Sequence, residues 1–404
     1  MNSSVLNKNL DTDKINSKIL IIFIYLKFIL SMFTLFLIDD YINIITIFFS
    51  VLILFYLFYK NRFKLNMIFA ISMLSITLLY IINLLFVGNK DVVIAQLVDF
   101  LSYNIIVSYA ILSGIDYKFL LEYWYKLAYK INIFLFVFIL LGLTKNVSYM
   151  YIGIYNSYNS VIICYYMLNK KENKFKNFGF FFITLVIAFL FSNRASLITV
   201  FLGFCYSLFY YFKKNTLKNF VFYIICFFLL FLVICFFNNI LDFILSALEE
   251  MKIDTYSINK YIRMLKGEFW EMSSGRDVLY NISIDSIKIS NGLPLGVGYF
   301  NEVTNGVFDY PHNFLLEWYI VFGYVLGSVL LLILLMCIVA YYIKNKKNKD
   351  KLVVFSMFLL YFITRTMFSS TFLKERSFWI VIFMIISFVF NKNKKQAIEE
   401  NNVY

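Results

Sequence analysis

One histidine and two prolines stand among 404 residues, and six arginines face 31 lysines. Charged side chains make up only 15% of the chain, whereas 61% are hydrophobic. A soluble globule cannot hide that much apolar surface, which excludes a cytosolic enzyme and points to a bilayer as part of the solvent. The five cysteines (Cys164, Cys205, Cys226, Cys235, Cys337) all lie within apolar runs and form no close Cys-x-x-Cys pair. Packing among apolar neighbours is their reading, not a disulfide or metal framework. With a single imidazole and no cysteine beside it, no ligand set for a catalytic metal is expected. A cleavable leader is not expected either. The polar start MNSSVLNKNLDTDKINSK runs into an apolar stretch of full membrane width without a small-residue cleavage site.

What the chain has instead is apolar runs of about 20 residues, each long enough to cross a bilayer as a helix. Twelve spans are expected, at 19–38, 41–59, 65–87, 92–113, 127–143, 151–168, 177–192, 196–212, 219–237, 313–343, 352–370 and 378–390. The expected fold class is therefore an all-α integral membrane protein of about twelve transmembrane helices. Alternate loops carry KNRFK, KKENKFK, KKNTLK and KNKKNKDK, while the intervening ones are short and poor in lysine. Lys and Arg in short loops mark the cytoplasmic side, so both termini are expected there. The net charge of +13 is then a topology signal and not a nucleic-acid patch.

One connection is different. Residues 238–311 form an outward loop that is net acidic in a basic protein and holds both prolines, Pro294 and Pro311. Loops of this length are functional or disordered. Here Ile258, Tyr261, Ile262 and Leu265 recur at helical spacing, and Ser274 with Asp277 has the spacing of a capping box. NGLPLGVGYF then reads as a turn-rich return to the membrane. The chain divides into 1–237, this loop, and 312–404.

Arg62 is the only arginine in the cytoplasmic loops; Arg194, Arg263, Arg276, Arg365 and Arg376 all map to the outer loop or to outward ends of spans. Topology alone is served equally by Lys, but a planar two-pronged grip on phosphate favours Arg. An anionic ligand on the outer face follows. Arg365, inside the eleventh span, is either part of that site or a side chain that snorkels or pairs with an acid such as Glu317. His312 is either a hydrogen-bonded packing residue or a general base, with Asn313 and Glu317 close behind it in sequence.

The run SSGRDVLYNISIDSIKISNGLPLGVGYF, followed by YPHNFLLEWYIVFGYVLG, resembles the signature of the O-antigen ligase and polymerase superfamily. Its parts here are Arg276 opening a loop helix, Pro294 with Gly296 and Gly298, His312 with Asn313, and Gly323. FSNRASLITVF is similar to the family's intramembrane Ser-x-Arg segment and places Arg194. The resemblance implies a metal-independent glycosyltransferase of the membrane-embedded GT-C type, without cofactor, in the bacterial cytoplasmic (inner) membrane. Its site would face the periplasm or exterior. Donor and acceptor would be oligosaccharides on undecaprenyl diphosphate. Arg194 and Arg276, then Arg365 and Arg263, would hold the diphosphate. His312 would activate the acceptor, and Asn313 and Glu317 would position it. A chain-length regulator protein is the expected partner besides the bilayer, and nucleic acid is not expected. The aromatic, divergent composition resembles the polymerases more than the ligases that deliver glycan to lipid A core. A flippase for lipid-linked repeats is the alternative of another class; it would need no large outer loop with a histidine at its end.

Overall fold

The computed structural model describes residues 3–33, 39–140, 149–169, 174–191, 194–212, 246 and 275–401. Among these the regular structure is helical throughout, with no strand. The helices are α1 (Ser3–Phe33), α2 (Asp39–Lys60), α3 (Met67–Phe86), α4 (Lys90–Asp99), α5 (Ile105–Ser113), α6 (Tyr117–Leu140), α7 (Tyr149–Asn169), α8 (Lys174–Phe191) and α9 (Arg194–Phe212). Beyond residue 275 come α10 (Arg276–Ile289), α11 (Tyr299–Val303), α12 (Phe314–Phe322), α13 (Tyr324–Asn345), α14 (Lys349–Phe368) and α15 (Arg376–Asn401).

Among the described residues, four stretches are long and apolar enough to cross a membrane: Met67–Phe86, Lys90–Ser113, Tyr324–Asn345 and Lys349–Phe368. Four more are apolar but shorter, at Ile44–Lys60, Lys176–Ala188, Ala195–Phe209 and Arg376–Phe390. The expected run 219–237 and the stripe at 258–265 lie outside the described residues. α3 and α13 leave most of their apolar side chains exposed, Leu74, Leu85, Phe86, Val325 and Met336 among them. Such exposure suits hydrocarbon and not water.

One expectation is corrected. The run read as one span over 313–343 is two helices, because the backbone turns at Gly323 with φ 74°. A Cβ there would stand 2.6 Å from the Gly292 carbonyl oxygen and 2.7 Å from the Pro294 nitrogen. The expected loop helix is present and starts at Arg276, after Gly275 at φ 68°; Ser274 lies outside the described residues.

The chain forms two compact units, Met1–Trp124 with Val278–Tyr404, and Tyr125–Asp277. In the first unit α5 is the centre. It packs on α1, α2, α3 and α15, and every residue from Ile106 to Leu112 is buried. Between α4 and α5 the helix opens into a π-helical turn, Phe100–Asn104. This turn places the buried Phe100 ring 4.7 Å from Trp379 and 6.0 Å from Tyr80. Polar side chains tie the loops together at both ends. At one end Asn16 donates to the Gly114 carbonyl at 2.9 Å and pairs with Asn61, while Ser17 accepts from the Asp116 amide at 2.9 Å. At the other, Asn89 donates to Asn301, and Lys374 lies 3.8 Å from both Asp99 and Asp309.

In the second unit α7 packs against both α8 and α9. Its polar face is buried and bonds across helices: Asn156 donates to the Thr184 carbonyl at 2.7 Å, and Asn159 to Asn132 at 2.8 Å. Interhelical polar bonds of this kind replace the missing hydrophobic drive between helices in lipid.

Candidate functional site

The site is built from the second half of the long loop, where it runs into α12. α10 presents Leu279 to Phe300 and Ile320, which form a small core under the loop. The Pro294-x-Gly296-x-Gly298 turn is clamped onto α12 and α3. The amides of Leu295 and Gly296 donate to the Ile320 carbonyl at 2.9 and 3.3 Å, and the Val297 amide donates to Asn83 at 3.0 Å. Gly296 and Gly298 both adopt φ 90°. At Gly296 a side chain would also collide with Asn83. The glycines of the signature thus hold the loop down; they leave chemistry to others.

From that clamp the chain runs through Tyr310 and Pro311 to His312, whose φ of 55° lies in the left-handed region. A non-glycine residue held there costs about 1 kcal/mol or more, and such residues concentrate at functional sites. The imidazole packs against the Tyr310 ring at a centroid distance of 4.4 Å. Asn313 caps α12: its side chain accepts from the amides of Leu315 and Leu316 at 3.0 and 3.3 Å. Its carbonyl oxygen is therefore occupied in starting the helix.

The loop between α14 and α15, residues 369–375, gathers the remaining groups. Glu317 is buried and accepts from the Thr371 hydroxyl and from the Phe372 amide at 3.3 Å. The Tyr310 hydroxyl donates to the Ser369 carbonyl at 2.9 Å. Arg365 donates to Ser369 at 2.8 Å and to Glu375 at 3.3 Å, and Glu375 also accepts from the Ser377 hydroxyl at 2.9 Å. The partner of Arg365 is thus Glu375 and not Glu317. This is a buried ion pair, and a buried pair is retained for geometry more than for net stability. Arg376, beside it, donates to the carbonyls of Phe23 and Ile24 at 3.0 Å and lies over the rings of Phe23 and Tyr103.

His312, Asn313, Glu317 and Arg365 therefore meet in the first unit, joined through Tyr310, Ser369 and Thr371. Arg276 opens α10 and Arg194 opens α9, within the residues of the second unit. Arg263 lies outside the described residues. Sequence reasoning missed Tyr310, two residues before His312, and Ser369, Thr371 and Glu375, for which the dense polar run SSTFLKERS was the available signal.

Residues 179–331 match the O-antigen ligase family model. The match supports the O-antigen ligase and polymerase superfamily, in which the segment from α8 to α13 carries Arg194, Arg276, the glycine turn, His312 and Glu317. Arg365 falls beyond it. No curated protein and no solved structure matches the chain. Glycosyl transfer from lipid-linked glycans at a membrane is the activity this superfamily brings.

Proposed function

We propose that the protein is a polymerase of surface polysaccharide, joining undecaprenyl-diphosphate-linked oligosaccharide repeats at the outer face of a bacterial cytoplasmic membrane. The observation that carries this reading is the only histidine of the chain, held at φ 55° at the mouth of α12 inside the family-matched segment. The end of the first unit bearing Asn89, Asn301, Asp309 and Lys374 then faces outward. The opposite end, where the start of α1 is tied to the α2–α3 and α5–α6 connections, faces the cytoplasm along with both termini.

In the transfer, an acceptor hydroxyl attacks the anomeric carbon of the donor. The new carbon–oxygen bond forms as the bond to diphosphate breaks. The hydroxyl proton passes to neutral His312, and the lipid diphosphate leaves with the bonding electrons. Arg194 and Arg276, with Arg263, neutralise that charge. Arg365, engaged by Glu375 and Ser369, acts as a positioning residue for the loop around Tyr310 and Glu317. Transfer of this kind needs no metal.

The family model's description favours a second reading, in which the same donor glycan passes to a lipid A core acceptor. Cells carrying His312→Ala in place of the native chain test both. Loss of long chains with single repeats still reaching the final acceptor supports the polymerase. Long chains retained on the lipid carrier support the ligase. An unchanged glycan profile with the variant inserted at normal abundance would sink the role given to His312.

A further inference from the structure

Beside the His312 region lies a recess lined by Gln96, Gly298, Asp309, Tyr310, Glu317 and Leu373, among others. Its free interior of about 10 Å³ is close to what one water or one hydroxyl needs. Gln96 comes from α4, remote in sequence from the signature, and only 4% of it is exposed. Its Oε1 is buried and accepts no hydrogen bond, and the same holds for the hydroxyl of Tyr80 on the neighbouring α3. Tyr80 is within electrostatic reach of Glu317 and Asp99. Leaving such an atom unpaired is unfavourable, and an apolar residue of the same shape would avoid it.

The charged side chains lining the recess are both acids, Asp309 and Glu317. Lys374, the cation beside Asp309, is already shared between Asp99 and Asp309 at 3.8 Å. A diphosphate would be repelled here. A group that donates hydrogen bonds and carries no negative charge would be welcomed. We propose that this recess is a subsite for a sugar hydroxyl of the acceptor glycan, with Gln96 Oε1 accepting that hydroxyl and Glu317 oriented beside it by Thr371. The recess takes the tip of a sugar and leaves the ring outside against Tyr310. Anion recognition and hydroxyl recognition are thereby separated: arginines for the donor's diphosphate, an acidic and amide-lined notch for the acceptor.

This inference rests on the glycan-transfer reading, and its test keeps the two apart. Wild type, Gln96→Met and His312→Ala are purified in lipid nanodiscs and assayed with the lipid-linked repeat extracted from cells lacking this protein. Gln96→Met keeps length and volume while removing the acceptor atom. Its KM for the repeat should rise about tenfold, the equivalent of one lost hydrogen bond, with kcat within about twofold and thermal stability equal or higher. A KM unchanged within twofold would overturn the subsite and leave Gln96 as the partner of a structural water. A fall in kcat and unfolding temperature with KM unchanged would likewise overturn it in favour of a packing role. If Gln96→Met does not fold, Gln96→Leu removes the same acceptor atom with a different apolar shape, and the same KM criterion decides. Should His312→Ala retain full turnover, the transfer reading itself fails, whatever Gln96 does.

Discussion

Replacing Gly323 by alanine tests whether the break between α12 and α13 holds the site in place. Two costs add at this position. An L-residue at φ 74° enters the left-handed region, at about 1–2 kcal/mol. Its Cβ would also meet three backbone atoms of the 292–294 turn at 2.6 to 2.8 Å. Backbone cannot rotate away as a side chain can, so overpacking adds about 1–3 kcal/mol. The sum is about 2–5 kcal/mol. Gly306 provides the control: its φ is 80° but nothing lies within 4 Å, so Gly306→Ala should cost about 1–2 kcal/mol from conformation alone. Gly179, helical and equally uncrowded, should become more stable by about 0.5–1 kcal/mol as alanine. Thermal unfolding in detergent, followed by tryptophan fluorescence, should rank them Gly179→Ala above wild type, then Gly306→Ala, then Gly323→Ala. The last should also lose glycan product, since the Pro294 turn and α12 shift together. If Gly323→Ala and Gly306→Ala unfold at the same temperature, the close approach of the turn is wrong.

Arg365→Leu or Glu375→Leu alone should cost about 3–5 kcal/mol by stranding a buried charge, and the double variant should recover most of it in a double-mutant cycle. Full additivity of the two would show that the pair at 3.3 Å is not coupled. At the opposite end, burial and the neighbouring Asp116 push the Asp13 carboxyl up to about 6. Its folded pKa exceeds its unfolded one, so its favourable contribution is full below about pH 4 and is lost as pH rises through about 6. Unfolding temperatures at pH 4.5 and 7.5 should therefore differ more for wild type than for Asp13→Asn. The effect is below about 1 kcal/mol because the group is only half-buried.

Helix positions were legible because a membrane helix announces itself by an unbroken apolar run of fixed length. α2, α3, α7 and α14 fall within a few residues of their expected limits. The same rule hid the break at Gly323, since apolar residues continue on both sides of it and only the packed turn from 292 to 294 demands the bend. It also hid the polar beginning of α1, which is helical because Asn16 and Ser17 find partners in the α2–α3 and α5–α6 connections. His312, Asn313 and Glu317 were readable from rarity and adjacency. That Arg365 answers to Glu375, and that Gln96 and Glu317 line one recess, was not. Those juxtapositions cross loops and helices, and no local spacing encodes them.

The π-helical turn at Phe100–Asn104 acts as a phase shifter within one continuous rod. One extra residue rotates everything beyond it by about 100° relative to an unbroken α-helix. α4 can thus aim Gln96 at the recess while α5 keeps every residue from Ile106 to Leu112 in the core. Recess lining and core packing are written on the same helix in two separate registers. Side chains of α4 that face the recess can vary without α5 being repacked.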